Sequence, residues 1–279
     1  MNALVSPEPT TVRIDDPADP RVAAFMNIQE RDLTGREGLF IAEGKVPVRI
    51  LASPASRCGV RALLLAEGRA ASMADVIAAL GPSVPTYVAS QAVLDGVAGF
   101  ALHRGVLALG ETPPLQDPSA LLDQLPERAL VLAVSAVGNH DNIGGLFRNA
   151  AALGADAVLL DDRCCDPFYR KAIRVSAGAV LTTPFARARS VGALVESLQG
   201  RGFEVLAMTP SAAADLTSLR RAPRTAVLVG SEGPGLDPAV IARCRPVAIP
   251  MAGGFDSLNV ATSAAIALHN LRDHRIVSR

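Results

Sequence analysis

The sequence predicts an α/β protein with two domains, the second of which contains a parallel sheet. The chain of 279 residues is long enough for two domains of ordinary size. Apolar residues make up 49% of it, which is enough to build a substantial buried core. Short apolar segments alternate with helical patterns along most of the chain, as in α/β proteins. A proline-rich stretch over 111–128 separates two such regions and is predicted to be a linker.

Overall composition argues against several classes of function. Basic and acidic residues each number 27, so a nucleic-acid partner must be bound by a local basic patch. Scarce aromatic residues and the absence of tryptophan argue against lectin-like or aromatic-cage binders. No CxxC pair and no metal-like histidine spacing occur, so we expect reduced thiols and no metal site. Without a signal pattern or a membrane-spanning apolar run, we expect a cytoplasmic protein with no membrane partner.

The N-terminal half is predicted to hold a leader and a small α/β domain. Residues 1–30 are rich in Pro, Asp, Glu and Thr, which indicates a loosely held leader or a short helix. Over 31–110, apolar segments bounded by glycine favour strands, and one segment favours a helix. The strands are expected over 39–44, 60–67 and 105–111, and the helix over 72–81.

The C-terminal region, 129–279, has a more regular alternation. Its first segment, 129–137, is almost wholly apolar, as expected for a strand buried on both faces. Strands alternating with helices predict a parallel sheet covered on both sides. Further strands are expected over 156–160, 203–208, 225–230 and 246–250, and helices over 143–153, 169–177, 191–199 and 257–273.

The first chemical motif is NHDNIGGLFRNAAALG, residues 139–154. Asn142 is placed to cap a helix in which Gly144 and Gly145 precede Arg148 by four and three positions. Because helical side chains lean toward the N-terminus, Arg148 is expected to lie over bare backbone and form a recess for a phosphate. The alternative is close helix–strand packing at the glycines, with Arg148 simply solvated.

The second motif is VLVGSEGPGL, residues 227–236, in which a buried strand runs into a glycine-rich turn that holds Glu232. Turns that follow parallel strands are where open α/β sheets bind ligands. The glycines fit neither GxGxxG nor a P-loop, and Val229 excludes a nucleophile elbow. A nucleotide-dependent oxidoreductase is therefore disfavoured, and the remaining alternative is an ordinary turn with a surface glutamate.

The third motif occupies residues 248–269, where a strand ends in Pro250 and a glycine loop follows. Ser257 is placed to cap a helix that Leu258 and Asn259 begin. This helix is apolar on nearly every face, so we expect it to pack on the sheet and on a further element such as a second subunit. The alternative role for Asn259 is that of a first-turn capping residue alone.

Taken in order, the three motifs resemble the signature motifs of the SpoU/TrmH family of RNA ribose 2′-O-methyltransferases, in the SPOUT superfamily. The segment YRKAIRVSAGAV (169–180) is similar to the family's arginine-serine-glycine stretch, and the likeness covers residues 129 to 272 or so. The matching residues are Asn142, Gly144 and Arg148, then Gly230, Glu232 and Gly235, then Ile249, Pro250, Met251, Ser257, Leu258, Asn259 and Val260.

The resemblance implies a C-terminal SPOUT domain with a deep trefoil knot, S-adenosyl-L-methionine as cofactor, and a homodimer formed through that domain. It implies methylation of a ribose 2′-hydroxyl in structured RNA, either tRNA or rRNA. The segments 40–44 and 99–110 look like the small ribosomal-protein-like RNA-binding domain that precedes the catalytic domain in many members. A non-catalytic RNA-binding or ribosome-assembly protein that retains the fold is the alternative.

The resemblance also assigns roles to residues. Because arginine stays protonated in proteins, we expect Arg148 to bind an RNA phosphate and polarise the hydroxyl, with the proton leaving to phosphate or water. The expected catalytic group is completed by Asn142, Glu232, Ser257 and Asn259. The expected cofactor-binding residues are Gly230, Gly235, Ile249, Met251 and Leu258. Candidate RNA contacts, with a solvated surface as the alternative, are Arg36, Lys45, Arg104, Arg170, Lys171 and Arg174.

Overall fold

The computed structural model describes residues 11–26, 38–253 and 257–272. It divides into two compact units. The first unit comprises residues 1–113 together with 168–182, and the second comprises 114–167 together with 183–279.

The first unit contains a mixed five-stranded sheet in the order β1-β4-β3-β5-β2. β1, β4 and β3 run parallel to one another, whereas β5 is antiparallel to both β3 and β2. The predicted strands and helix of the N-terminal domain are all present. The strands are β1 (Thr11–Ile14), β2 (Leu39–Glu43), β3 (Gly59–Ala66), β4 (Thr86–Ala89) and β5 (Val106–Glu111). The helices are α1 (Lys45–Leu51), α2 (Glu67–Ala70), α3 (Ala74–Leu80) and α4 (Gln91–Ala98).

Residues 11–26 differ from the predicted leader over 1–30. β1 pairs in parallel with β4, and the 3-10 helix Pro20–Phe25 buries Val22 and Phe25. These apolar side chains join Ile14 in the core of the unit, so burial holds the segment against the sheet. The composition of the segment is polar, and only these few apolar residues indicate that it packs on the sheet. The rest of the predicted leader lies outside the described residues.

The second unit contains a six-stranded sheet in the order β11-β9-β10-β6-β7-β8, and every pairing within it is parallel. The predicted parallel sheet is confirmed. Its strands are β6 (Ala129–Val134), β7 (Ala157–Leu160), β8 (Phe185–Arg187), β9 (Glu204–Met208), β10 (Arg224–Val229) and β11 (Arg245–Val247). The helices that follow β5 in the chain are α5 (Pro118–Asp123), α6 (His140–Ala152), α7 (Arg170–Val175), α8 (Val191–Gln199), α9 (Pro238–Ile241) and α10 (Val260–Leu271).

Helices cover both faces of this sheet, as predicted. All six residues of β6 are buried, and alternate residues face opposite layers. On one face Val131 and Ala133 join a core with Leu121 of α5 and Leu194 of α8. On the other face α6 and α10 pack on β7, β10 and β6.

The segment predicted as a linker, 111–128, contains helix α5. The Asp117 side chain caps this helix by accepting hydrogen bonds from the backbone N–H groups of Ser119 and Ala120. Pro118 occupies the first helical position, where its missing N–H costs nothing. Because Leu121 and Leu122 are buried in the core, this part of the segment belongs to the second unit and differs from the predicted linker.

Residues 168–182 also differ from the predicted division, which places them in the domain over 129–279. They belong to the first unit. Phe168 stacks on Phe40 of β2 with ring centroids 5.0 Å apart, and Arg170 of α7 forms an ion pair with Glu43. These contacts join residues more than 120 positions apart, so no local pattern reveals them.

Candidate active site

The second and third sequence motifs line one cavity of the second unit, beside the carboxyl ends of β9 and β10, and the first motif contacts them through Asn142. The cavity has a volume of about 630 Å³. Ligands bind in this position in open α/β folds. All five residues expected to bind cofactor line it, namely Gly230, Gly235, Ile249, Met251 and Leu258. Three of the expected catalytic residues line it as well: Glu232, Ser257 and Asn259.

The turn after β10 is folded tightly back on itself. A Cβ placed on Gly230 would lie 2.6 Å from the carbonyl carbon of Gly235, a distance that real Cβ atoms do not reach. Gly233 and Gly235 both have positive φ values, 85° and 68°, which favour glycine. The glycines therefore fix the path of the turn that carries Glu232 to the cavity.

Asn259 connects the three motifs through its side chain. Its Nδ2 donates to Oδ1 of Asn142 at 2.9 Å and to Oε1 of Glu232 at 2.8 Å. Its Oδ1 accepts from the backbone N–H groups of Ala261 at 2.9 Å and Thr262 at 3.3 Å. Both donors and both acceptor positions of the amide are thus occupied. One residue caps helix α10 and also holds the first and second motifs together.

The capping residues of the two motif helices differ from the prediction. Asn139, not Asn142, caps α6 and accepts from the backbone N–H of Asp141 at 2.8 Å. Asn142 lies within the first turn and is only 8% exposed, so its amide is directed to Asn259. Likewise, Asn259 caps α10 in place of Ser257. The capping alternative for Asn259 is correct but incomplete, because its amide nitrogen makes the two contacts to other motifs.

Gly145 serves helix packing. A Cβ on Gly145 would lie 3.0 Å from the Cβ of Ala261 on α10, and Asn149 Nδ2 donates to the Ala261 carbonyl at 2.7 Å. The predicted recess for ribose and phosphate is therefore not present at this glycine. The packing alternative holds in its place, with a helix rather than a strand as the partner.

Arg148 is a predicted catalytic residue that the structure does not bring to the cavity, and Asn142 does not line the cavity either. Arg148 is exposed, and it makes no hydrogen bond or ion pair with the described residues. It follows Asn142 by six residues, which separates the two side chains by about 120° around the helix and about 9 Å along it. The cavity therefore brings together Glu232, Ser257 and Asn259, and Asn142 is joined to Asn259 by a hydrogen bond, whereas Arg148 is hydrogen-bonded to none of them.

Asp161 is a buried carboxylate beside the first motif that sequence reasoning did not select. It is fully buried at the end of β7 and accepts from Ser135 Oγ at 2.7 Å and from the backbone N–H of Ala136 at 2.9 Å. Ala136 has a φ of 56°, unusual for a residue with a side chain. Asp161 thus fixes the loop that leads into α6. The sequence feature that could have identified Asp161 is its position, because Ser135 and Asp161 each directly follow one of two neighbouring parallel strands.

The end of β9 contributes a further wall of the cavity that the sequence motifs do not include. Met208, Thr209 and Pro210 line it. β9 is a neighbour of β10 in the sheet, and parallel strands end at the same edge. These residues could not be predicted to line the cavity, because the sequence does not specify the order of the strands in the sheet.

Five of the six candidate RNA contacts are described, and they lie in the first unit. Arg170 is largely buried at 17% exposure, Arg174 is half-buried and Lys45 is exposed. Arg36 lies outside the described residues. The remaining candidates in this unit are Arg104 and Lys171, both exposed.

The cysteines are free, and burial makes their thiols poor nucleophiles. Burial raises the pKa of Cys58 and of Cys164 to about 12, and that of Cys165 to about 11. Burial also raises the pKa of Cys244. Within the described ranges no group of histidine, cysteine or acidic residues could hold a metal ion. In the same ranges, no helix combines the length and apolar character needed to cross a bilayer.

Comparison with known proteins gives one consistent family. Residues 129–269 match the SpoU rRNA Methylase family. A protein of Mycobacterium tuberculosis named as an uncharacterized tRNA/rRNA methyltransferase is 42% identical over 265 residues, which cover 91% of this chain and 89% of the relative. A similar protein of Synechocystis sp. is 31% identical and covers 69% of each chain.

Solved structures agree over almost the whole length. The crystal structure of an RNA 2′-O ribose methyltransferase superposes with a TM-score of 0.76 at 28% identity, covering 93% of this chain and 97% of the other. An AdoMet-bound rRNA methyltransferase from Sinorhizobium meliloti superposes with a TM-score of 0.78 at 22% identity, with the same coverage. The second likeness shows the fold alone.

Proposed function

The chain belongs to the SpoU rRNA methylase family, and from that premise we propose that it transfers a methyl group from S-adenosyl-L-methionine to a ribose 2′-hydroxyl of structured RNA. The single observation that carries the proposal is the amide of Asn259, which joins Asn142 and Glu232 at the cavity. A non-catalytic relative has no need for this arrangement beside a cavity for a small molecule.

The cavity fits S-adenosyl-L-methionine in size and in lining. Its volume of about 630 Å³ lies within the range of roughly 300–1,000 Å³ typical of small-molecule sites. Gly230 and Gly235 leave main chain uncovered at the wall, so backbone donors and acceptors can approach a nucleoside. Ile249, Met251 and Leu258 provide apolar surface for the faces of an adenine ring. These five residues would hold the cofactor, which supplies an electrophilic methyl carbon when bound.

The residues of the chain would orient the ribose and keep water from the reaction. Asn259 holds Glu232 through Oε1, which leaves the other carboxylate oxygen to accept a hydrogen bond from a ribose hydroxyl. Ser257 lines the same cavity and offers a hydroxyl to the polar tail of the cofactor. Aligning the reacting groups in this way can lower a barrier by up to roughly 7–11 kcal/mol.

Arg148 would act on the RNA rather than on the cofactor. Its guanidinium is exposed and unpaired among the described residues, so it is available to a phosphate. Arginine binds phosphate with two parallel hydrogen bonds and stays charged, so Arg148 would hold the RNA backbone outside the cavity. The proton of the 2′-hydroxyl would leave to a phosphate oxygen or to water.

The trefoil knot and the homodimer are further parts of the proposal. The loops after β10 and β11 both line one cavity, and the loop after β10 folds tightly back on itself, which supports a knotted path. For the dimer, α6 and α10 form a groove on the second unit that is mostly apolar. Ile266 in this groove is 38% exposed, a large apolar side chain left in water. Light scattering of an Ile266→Asp variant should show a shift from dimer to monomer.

Two measurements test the activity. Calorimetry should show binding of S-adenosyl-L-methionine at one site per chain, whereas an inert relative would bind none. Total RNA from cells that lack the protein is then incubated with enzyme and methyl-labelled cofactor, and the product is hydrolysed in alkali. Because 2′-O-methylation blocks cleavage of the adjacent phosphodiester, the label should appear in alkali-stable dinucleotides. Label found only in mononucleotides would indicate base methylation and contradict the proposal.

A further inference from the structure

A buried carboxylate in the first unit is surrounded by three arginines. Glu43, at the end of β2, is only 5% exposed. It forms a close ion pair with Arg170, and its Oε2 lies 3.8 Å from Nη1 of Arg174. On the other side, Oε1 lies 3.9 Å from Nε of Arg104. One negative charge thus faces three positive charges.

The three arginines differ in how closely they contact the Glu43 carboxylate. Arg170 is 17% exposed and also lies over the ring of Phe100, with its guanidinium carbon 5.1 Å from the ring centroid. Arg174 and Arg104 are 35% and 53% exposed, and their distances to Glu43 exceed hydrogen-bond length. They are attracted to Glu43 but retain N–H donors for another acceptor.

The position of Arg104 is built into the backbone. A Cβ on Gly44 would lie 3.1 Å from both Cδ and Nη1 of Arg104, so the arginine lies across bare main chain. Gly44 also has a φ of 95°, which a side chain would disfavour. Arg174 is carried by helix α7, which Arg170 holds against Glu43. Both arginines are therefore held near one place before any ligand arrives, which lowers the entropy cost of binding.

We propose that Glu43 positions Arg104 and Arg174 as a pair that binds one phosphodiester of the RNA substrate. We name this pair the Arg104–Arg174 clamp. Excess positive charge, free N–H donors and partial exposure are the properties that a phosphate oxygen requires. Arg170 becomes a structural residue rather than an RNA contact. The inference rests on the proposed function only in taking RNA as the substrate.

Glu43 gives the proposal a sharp test, because two models predict opposite results. If only net charge matters, Glu43→Gln removes one negative charge from the protein and should strengthen RNA binding. If Glu43 positions the clamp, the same variant frees both arginines and should weaken binding despite the added net positive charge. Melting temperature is measured alongside to show that the variant is folded.

The experiment measures binding of the full chain to labelled total tRNA and to labelled rRNA fragments over a range of salt concentrations. Arg104→Ala and Arg174→Ala should each weaken binding about tenfold, the lower end for a hydrogen bond to a charged group. In each single variant the remaining arginine still neutralises the phosphate, so the slope of log K against log salt should fall by less than the roughly 0.7–0.9 expected for one phosphate. The double variant should lose this full amount.

Arg61→Ala is the matched control. Arg61 is 58% exposed on the same unit and pairs with Glu111, so its removal subtracts the same charge without touching the clamp. It should leave affinity and slope unchanged. Equal effects of Arg61→Ala and the clamp variants would overturn the proposal, and so would tighter binding by Glu43→Gln. Because Arg104 is exposed and Arg174 is half-buried, their variants remain informative even if Glu43→Gln does not fold.

Two further measurements distinguish an RNA clamp from a site for free phosphate, and the clamp from the methyl-transfer site. Inorganic phosphate and ATP are tested as competitors, and displacement of RNA at millimolar phosphate would indicate a site for free phosphate and overturn the RNA assignment. Binding of S-adenosyl-L-methionine by calorimetry should be the same in every clamp variant. If the wild-type chain bound RNA through the clamp but bound no S-adenosyl-L-methionine, the proposed function would fail while the clamp stood.

Discussion

Replacing Asn259 with aspartate should abolish the contacts among the motifs while preserving the fold. Aspartate caps a helix as well as asparagine does, because the oxygen that accepts from Ala261 and Thr262 is retained. The amide nitrogen, however, becomes an oxygen that faces Asn142 and Glu232 without a proton to donate. We therefore expect the melting temperature to stay near that of the wild type and methyl transfer to fall.

The expected size of the loss follows from the contacts. The hydrogen bond to the Glu232 carboxylate contributes about 1.5 kcal/mol, the low end for a charged acceptor, because both residues are exposed. Two carboxylates about 4 Å apart repel by about 1 kcal/mol even at the dielectric constant of water. Asn142 can rotate its amide so that its Nδ2 donates to the new carboxylate, and its hydrogen bond to position 259 is therefore kept. A total of about 2.5 kcal/mol corresponds to a loss of roughly 70-fold in kcat/KM.

The assay is labelled methyl transfer to RNA, with thermal unfolding of the same preparations. Asn259→Ser is the matched control, since serine keeps the cap but removes both donors without adding charge. Its kcat/KM should fall about tenfold, which is a smaller loss than that of the aspartate variant. Wild-type turnover in Asn259→Asp would refute the role assigned to this amide. A large fall in melting temperature would show that the residue acts through stability instead.

Three other predictions concern the catalytic arginine, the helix contact and the thiols. Arg148→Lys should keep the charge but lose the two-bond contact to phosphate, lowering kcat at least tenfold in the methyl-transfer assay; near-normal turnover would remove the role proposed for Arg148. Gly145→Leu should force α6 and α10 apart and lower the free energy of unfolding in urea by about 1–3 kcal/mol. Ala151→Leu on the exposed side of α6 should have little effect, and equal losses in both variants would contradict close packing at Gly145. Because burial raises the pKa of the Cys164 thiol to about 12, alkylation at pH 8 should be far slower in the native chain than in denaturant; fast labelling of native Cys164 would contradict its burial.

The strands and the order of the motifs were predictable because their signals are local. β6 is wholly buried and its sequence is almost wholly apolar, so the alternation of strands with helices identified the parallel sheet. The residues expected around the cavity came from the resemblance of the motifs to a known family, and eight of them line it. The glycine at position 230 in the turn after β10 has a local reason, because a side chain there would clash with the main chain of Gly235.

The predictions that were wrong concern features that depend on contacts between residues far apart in the sequence. Asn139 and Asn142 are both suited to cap a helix, and the choice depends on where the loop held by Asp161 ends. Gly145 was expected to face a ligand, but its neighbour is Ala261, more than 110 residues away. Likewise, the place of α7 in the first unit depends on the Arg170 ion pair with Glu43. Sequence periodicity carries no information about such pairs.

Methyl transfer by this chain requires a small-molecule site where the loops after β10 and β11 meet the start of α10. A crystal structure of the chain with S-adenosyl-L-methionine tests this most directly. The cofactor should lie in the cavity against Gly230, Ile249 and Leu258, with the Asn259 amide still joining Asn142 and Glu232. Cofactor bound on another surface, or a cavity that stays empty at saturating concentration, would contradict the proposed site.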